Sequence, residues 1–408
     1  MARSPFYRRF HKGLEHAPLG ALPALTKAEV MSAFDDTVTD RAIRLADVKE
    51  FAARMQVGDL FRGRYHIVAT SGTTGERGYF LFDPGEWRSI MAGSGRALAW
   101  TIGGSRPPTG ERTAMMTTTV PWHMSARGIA EVRRLGLGGE TVTFDSGEPV
   151  EAVVAKLNMY QPTSMGGYPS MMQILAGEKI AGRLTIAPTR IGCGAEVLTD
   201  EAREGIRRAF GVEPSNTYGV SECGWLGATC TKGSALHVAE DMCFLEVVDE
   251  HGRPVPPGEA GAKAFITVFA SRTMPLIRYE LMDRLTLEPG PCACGMPFAR
   301  IESVGGRTGD VLTLPAEDGG TVTIAPAQIG ACLRGLPVVG WQLSLSPDEL
   351  VMECVAADSE FDADGIAARV RSFLASRRAM APNVRATRID RLVRGRTGKS
   401  VVVKTLSR

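Results

Sequence analysis

The chain lacks most features that would assign it by composition alone. None of its apolar runs approaches the ~20 residues that span a bilayer. Charge of one sign is also missing. The 47 Lys and Arg stand against 45 Asp and Glu, a formal net charge of +2, whereas a dedicated nucleic-acid binder concentrates basic charge. The opening MARSPFYRRFHKGLEHAPLG is basic but has no apolar stretch after its charges, so no secretory signal is expected. Its arginines leave organelle targeting as the lesser alternative. The eight cysteines are scattered, which argues against a disulfide scaffold and for a reducing cytoplasm. There is no internal repeat or low-complexity tract. Neither a membrane nor nucleic acid is expected as a partner. At 408 residues the chain has room for two or three domains.

Residues 1–60 alternate short helical stretches with Pro breaks, and in LPALTKAEVMSAFDD Thr26 is placed to cap a helix with Glu29 at its third position. From 61 to about 270, β and α stretches alternate. RYHIVAT and RTAMMTTTV read as strands, DPGEWRSIMAGSGRALAW and PVEAVVAKLNMYQP as helices. LTIAPTRIGCGAE and EAREGIRRAFG repeat the alternation. It predicts an α/β domain with largely parallel strands. In DMCFLEVVDEHGRPVPPGEAGAKAFITVFA, two apolar strands flank a Pro/Gly-rich connection, which indicates a small antiparallel or barrel-like subdomain. GGRTGD (305–310) breaks the pattern, and beyond it FDADGIAARVRSFLASRRA belongs to a separate small unit. The expected class is therefore α/β: a large N-terminal domain over 1–306, with parallel α/β sheets plus a small β subdomain, and a small mobile α+β C-terminal domain over 307–408, hinged near Gly309.

The stretch TSGTTGERGYF sets Thr70, Ser71, Gly72, Thr73, Thr74 and Gly75 directly after a strand-like run. The glycines let backbone wrap closely, and the hydroxyls add donors beside exposed N–H groups. This suits a phosphate; a Gly/Thr-rich hairpin loop is the alternative. Two other glycine stretches fail as nucleotide loops. GCGAEV has Val197 where a dinucleotide fingerprint needs its third glycine, and RGRTGKS has Val393 where a P-loop needs its first. In PCACG, Cys292 and Cys294 sit on a tight turn, and CTKGSALH offers Cys230 and His237. Together they make a closed tetrahedral set for structural Zn2+, with free thiols as the alternative. Cys193, Cys223, Cys243, Cys332 and Cys354 read as small apolar fillers.

Taken in order, the 70–75 loop, IGCGAEVLTDEAREGIRRAFG (191–211), NTYGVSECG (216–224), MPLIRYELMDRLTL (274–287), GGRTGD and RGRTGKS (394–400) form a set. The set resembles the adenylate-forming superfamily, most closely its phenylacetate–CoA ligase branch, over nearly the whole chain. The resemblance implies ATP-dependent activation of a carboxylic acid to an acyl-adenylate, then transfer of the acyl group, most commonly to coenzyme A. By the same resemblance, Thr70 to Gly75 hold the β- and γ-phosphates; many relatives carry a Lys just after, where this chain has Arg77. Glu222 becomes the Mg2+ carboxylate, Ser221 a contact near the α-phosphate, and Tyr218, with Gly219 beside it, a ring next to adenine. Gly194, Ala195 and Glu196 lie along the base, and Asp283 and Arg307 bind the ribose. The usual TGD is LMD here, with Met282 in the glycine's place. Lys399 bridges the carboxylate and α-phosphate, carried by a domain that pivots where relatives have Asp or Lys and this chain has Gly309.

Trp122 and His123 fall where the family builds a wall of its acyl pocket, His123 near the carboxylate. Tyr168 and Pro169 join the same region, and ordinary core is the alternative for these aromatics. An apolar acid follows, aryl or short to medium acyl. No coenzyme A signature is visible. An amine, N–N bond formation or a carrier-protein thiol, as in secondary metabolism, is therefore the alternative acceptor. A non-catalytic, zinc-stabilised family member is the third reading, against which Glu222, Asp283, Arg307 and Lys399 count. Similar proteins are commonly homodimers.

Overall fold

The computed structural model describes residues 3–70, 77–104, 110–136, 139–281, 283–307, 312–324, 326–333, 336–356, 361–390, 392 and 403–405. The chain forms two compact units. The first comprises Met1–Gly110, Thr118–Gly139 and Ser215–Val304; the second comprises Glu111–Thr117, Glu140–Pro214 and Gly305–Arg408.

In the first unit the expected capping box forms, Thr26 and Glu29 satisfying each other's backbone N–H groups at the start of helix Lys27–Ser32. Strand His66–Ala69 pairs antiparallel with Tyr79–Phe82. Asp83 and Glu86 then make a second capping box that starts helix Pro84–Thr101. The strands Asp283–Leu287, Arg300–Arg307, Leu236–Val238, Gly224–Thr229 and Ser215–Val220 follow one another across a sheet. The pairings from Ser215–Val220 through Leu236–Val238 to Arg300 are antiparallel. The parallel reading over 61 to about 270 therefore fails at the 66–82 hairpin and again beyond residue 214. Only residues 221–223 separate strand Ser215–Val220 from strand Gly224–Thr229, and a parallel crossover needs a dozen or more. Cys243–Val248, Lys263–Val268 and Tyr279–Leu281 form the expected small antiparallel sheet.

The N-terminal segment clasps this small sheet. Leu25 pairs with Tyr279, and the Arg278 guanidinium donates to the carbonyls of Gly20 (2.9 Å) and Leu22 while pairing with Glu246 at 3.1 Å. The core runs through Leu25, Val30, Phe34, Ile67, Phe80, Trp87, Leu226 and Ile266.

The second unit has the anticipated parallel α/β layers. Strands Arg190–Gly194, Ser164–Gly167, Arg112–Thr117 and Glu140–Asp145 pair parallel in that order. Apolar faces of helices Val150–Tyr160 and Pro169–Ile180 pack Leu157, Met172 and Leu175 with Met116 and Ile191. Gly167 is required there, because a Cβ on it would stand 2.2 Å from the Met116 carbonyl oxygen. The C-terminal part is α+β. Val338–Leu345 pairs antiparallel with Glu349–Ala356, and the latter pairs parallel with Asn383–Arg388. Helix Ala363–Ser376, capped by Asp362, contributes Ile366, Val370 and Leu374 to a core with Leu343, Leu350 and Met352. Among the described residues no helix is long and apolar enough to cross a membrane.

Candidate active site and metal cluster

The turn that breaks the parallel pattern carries the most chemistry. Strand Ser215–Val220 bulges between Tyr218 and Gly219. The chain then turns through Ser221, Glu222 and Cys223 into Gly224, whose φ of +81° and missing Cβ let it pass Ile90; a Cβ there would lie 2.6 Å from Ile90 Cγ2. Glu222 and Asp283 are both buried acids. Each accepts a hydrogen bond from the other's motif. Tyr218 donates its hydroxyl to Asp283 Oδ2 at 2.6 Å, and Tyr279 donates to Glu222 Oε1 at 3.1 Å. TYGVSE and RYELMD are thus joined reciprocally, one tyrosine and one carboxylate from each. Bonds to ionised acceptors are the strong kind, which lowers the cost of holding two carboxylates away from water.

The stretch from Thr70 to Gly78 joins the two antiparallel strands His66–Ala69 and Tyr79–Phe82. At its ends Thr70 N–H donates to the Gly78 carbonyl at 2.9 Å, and Gly78 N–H donates to Thr70 Oγ1 at 2.8 Å. Ser71, Gly72, Thr73, Thr74 and Gly75 lie outside the described residues. Arg77 follows them, its guanidinium 4.2 Å from the Trp122 ring centroid in cation–π geometry. The Trp122 carbonyl accepts from Ala69 N–H at 3.0 Å, so this indole is fixed to the strand that enters the loop. His123 is buried at the head of helix Met124–Arg134, with Nδ1 2.8 Å from Ser125 Oγ.

The other expected nucleotide and pocket residues belong to the second unit. Gly194 ends its strand, and Ala195 takes φ +65°, a left-handed conformation that costs a non-glycine residue energy. The Glu196 carboxylate accepts Ser170 N–H at 3.1 Å, in the first turn of the helix that Pro169 opens. Tyr168 is a core side chain whose hydroxyl is 3.3 Å from Thr117 Oγ1. Arg307 closes its strand. Gly309 and Lys399 lie outside the described residues.

Farther along the first unit's sheet, Cys230, His237, Cys292 and Cys294 bring their ligand atoms within 4.8 Å of one another. Cys230 Sγ stands 3.7 Å from Cys292 Sγ, and Cys294 Sγ stands 3.3 Å from His237 Nε2. A tetrahedron with Zn–S bonds of ~2.3 Å has edges of about 3.8 Å, so the Cys230 and Cys292 sulfurs already have the spacing a zinc ion requires. The backbone N–H of Cys294 points at Cys292 Sγ and holds that thiol below its ordinary pKa, while burial pushes Cys230 up to about 11. Burial also lowers His237, with Arg300 acting in the same direction, which keeps the imidazole neutral and able to ligate. The filler thiols behave differently. Burial pushes Cys193, Cys243 and Cys354 to about 12 and Cys223 well above the usual range, which makes them inert.

Comparison with known proteins agrees with this geometry. The AMP-binding enzyme family matches residues 65–262, from the first strand of the hairpin past strand Cys243–Val248. Phenylacetate-coenzyme A ligase of Thermus thermophilus is 30% identical over 285 residues, covering 67% of this chain and 60% of that protein. The chain belongs to the adenylate-forming superfamily, in its phenylacetate–CoA ligase-like branch. The Pseudomonas putida ligase of the same name is 31% identical over 276 residues, covering 64% of this chain and 58% of that one. The chain thus spans about three-fifths of the length of the curated relatives it matches. A crystal structure of 2-hydroxyisobutyryl-CoA ligase with an acyl-adenylate aligns with a TM-score of 0.76 and 18% identity over 99% of this chain and 86% of that one, the same fold.

This member of the superfamily has two features that the sequence did not reveal. Tyr279 is one; a hydroxylated aromatic closely following the apolar run MPLI was its only signal, because a buried phenol needs a partner. The other is Arg127, buried one helical turn after His123, which donates to the Asp59 carbonyl at 2.9 Å and approaches His66 Nδ1 at 3.1 Å. His66 in turn stacks on Trp87, with ring centroids 4.2 Å apart.

Proposed function

We propose that the protein is an ATP- and Mg2+-dependent carboxylic-acid ligase. The acid and ATP give acyl-adenylate and pyrophosphate, and coenzyme A then takes the acyl group and releases AMP. The observation that carries the proposal is the reciprocal pairing of Tyr218 with Asp283 and Tyr279 with Glu222 within two motifs of the superfamily. Coenzyme A as acceptor is favoured over an amine or carrier protein by the names of the three relatives given above, each a coenzyme A ligase.

In this reading Asp283 receives the ribose hydroxyls, and Arg307 adds a second contact. Gly194, Ala195 and Glu196 flank the base beside Tyr218 and Gly219. Thr70 to Gly75 grip the outer phosphates, and Ser221 the inner one. The fit of Glu222 to Mg2+ rests on donor chemistry: a buried carboxylate oriented by the Tyr279 hydroxyl is the kind of hard oxygen ligand that Mg2+ takes. Bound there, Mg2+ would offset charge on the phosphates. Trp122, His123, Tyr168 and Pro169 would shape the pocket for an apolar aryl or acyl acid. Lys399, carried by a 307–408 domain pivoting at Gly309, would bridge carboxylate and α-phosphate. The Cys230–His237–Cys292–Cys294 set fits structural Zn2+. A homodimer in a cytoplasmic setting completes the proposal.

The test is pyrophosphate release over a broad panel of aryl and acyl acids with ATP and no acceptor. Release with at least one acid is expected. Silence across the panel would leave a non-catalytic family member. Adding coenzyme A to the responsive acid and weighing the product should show the thioester, and an unchanged product would remove coenzyme A from the proposal.

A further inference from the structure

The two tyrosine–carboxylate bonds have different settings. Tyr279 is nearly sealed from solvent, at 1% exposure. Its backbone is held on both sides, paired with Ile266 in the small sheet and with Leu25 from the N-terminal segment. Arg278, the residue before it, adopts φ +46°, which a side-chain-bearing residue holds only when its surroundings dictate it. Those surroundings are explicit: Glu246 at 3.1 Å and the carbonyls of Gly20 and Leu22 hold the Arg278 guanidinium. The Tyr279 ring meets Phe80 edge-on, with centroids 6.1 Å apart, and Phe80 lies on the strand that leaves the 70–78 connection. The phenol is therefore among the most constrained groups in the first unit. Glu222, by contrast, sits on a three-residue turn with three side-chain torsions to fix.

We propose that Tyr279 is the positioning residue for Glu222, fixing its carboxylate in the orientation that receives the divalent cation before any nucleotide arrives. The inference rests on the ligase reading, which gives Glu222 its cation. An unanchored Glu loses rotamer freedom when it is immobilised. A phenol anchored by two strands and a clasped arginine meets that cost during folding rather than during binding. Hydrogen bonds behind a metal ligand typically govern metal affinity by about 10–100-fold, and Tyr279 stands in that relation to Glu222.

Tyr279→Phe deletes one oxygen and keeps the ring. The readout is calorimetric binding of a non-cleavable α,β-methylene ATP analogue to the whole protein, titrated with MgCl2 and repeated in EDTA, with circular dichroism to verify folding. The Mg2+ concentration for half-maximal tightening should rise about tenfold in the variant, with affinity in EDTA unchanged within about twofold. Tyr279→His retains a ring N–H donor and should fall between wild type and Tyr279→Phe. In a double-mutant cycle, adding Tyr279→Phe to Glu222→Gln should shift the Mg2+ requirement no further. The inference is overturned if the folded His and Phe variants show the wild-type Mg2+ requirement, or if the two substitutions act additively. Wild-type protein whose analogue binding ignores Mg2+ altogether is a different result, which removes the ligase reading itself.

Discussion

Strand Gly224–Thr229 runs between two clusters of polar side chains that satisfy themselves in opposite ways. Before it lies Glu222, whose carboxylate is paired by Tyr279; after it lies Cys230, whose sulfur faces other sulfurs. At the first end the chain supplies its own donors: two phenols answer two carboxylates, and the arrangement is complete before a ligand binds. At the second end three thiols and an imidazole converge with no carboxylate or guanidinium among the four, and a cation is the partner their chemistry calls for. The strand is six residues long, roughly 20 Å, so the two clusters share a scaffold without sharing atoms. Asp283 can exchange its bond from Tyr218 for one to a ligand at little net cost, while the bond from Tyr279 goes on holding Glu222, an arrangement that suits a substrate that comes and goes. A thiolate cage around an ion has no such exchange partner, which suits a permanent staple.

Breaking one end should therefore leave the other intact. Glu222→Gln removes the charge and keeps the shape. Acid-dependent pyrophosphate release should fall by about 100- to 1,000-fold, the usual cost of deleting one electrostatic contact to a developing charge, while metal content measured by mass spectrometry stays at the wild-type value. Loss of the metal in that variant would mean the two ends are not independent. The converse variant, Cys292→Ser with Cys294→Ser, should abolish the bound zinc, about one equivalent in wild type, and lower the thermal midpoint by on the order of 10 °C. Trp100 stands 5.9 Å from the His237 ring, so its emission offers a second record of metal loss. Gly224→Ala probes the link between the clusters. It adds a Cβ at φ +81° against Ile90 and should cost about 2–3 kcal/mol of stability, read from urea unfolding. Ile90→Ala in the same background should recover only the steric part.

The two ends were not equally legible in the sequence. Cysteine and histidine are rare enough that four of them near tight turns suggested a common site, and the sheet does gather them. The capping boxes at Thr26 and Asp83 were readable for the same reason: their partners lie three residues away, and local spacing is all a sequence displays directly. The parallel strands of the second unit followed from alternating strand and helix lengths. The antiparallel run after residue 214 did not, because a strand buried along its whole length, as Gly224–Thr229 is, looks alike in either direction and only the short 221–223 turn distinguishes it. Tyr218 and Asp283 were each picked out singly. Their bond spans 65 positions, and the donor to Glu222 lies 57 positions away, separations at which no residue pattern reports contact.

The two histidines of the first unit that face charged or ligating groups extend the contrast, and they yield the smallest effect. His237 turns its Nε2 toward a thiol, whereas His66 turns Nδ1 toward the Arg127 guanidinium and so must accept a proton rather than carry one there. Burial first, then Arg127 and more weakly Arg134, push the His66 pKa down to about 4, against a small opposing pull from Glu131. The folded value lies below the ordinary 6.5 of an unfolded chain, so the unfolded state binds more protons between them. The stabilisation His66 provides is thus fully present above about pH 6.5 and drains away as pH falls toward 4. His66→Phe preserves an aromatic ring against Trp87 and has nothing to protonate. It should be less stable than wild type at pH 7, because Arg127 loses an acceptor, yet its urea midpoint should fall less steeply from pH 6.5 to 4. Parallel midpoint curves for the two proteins would mean that His66 is protonated in the fold, and that Arg127 faces a cation it could not tolerate at 3.1 Å.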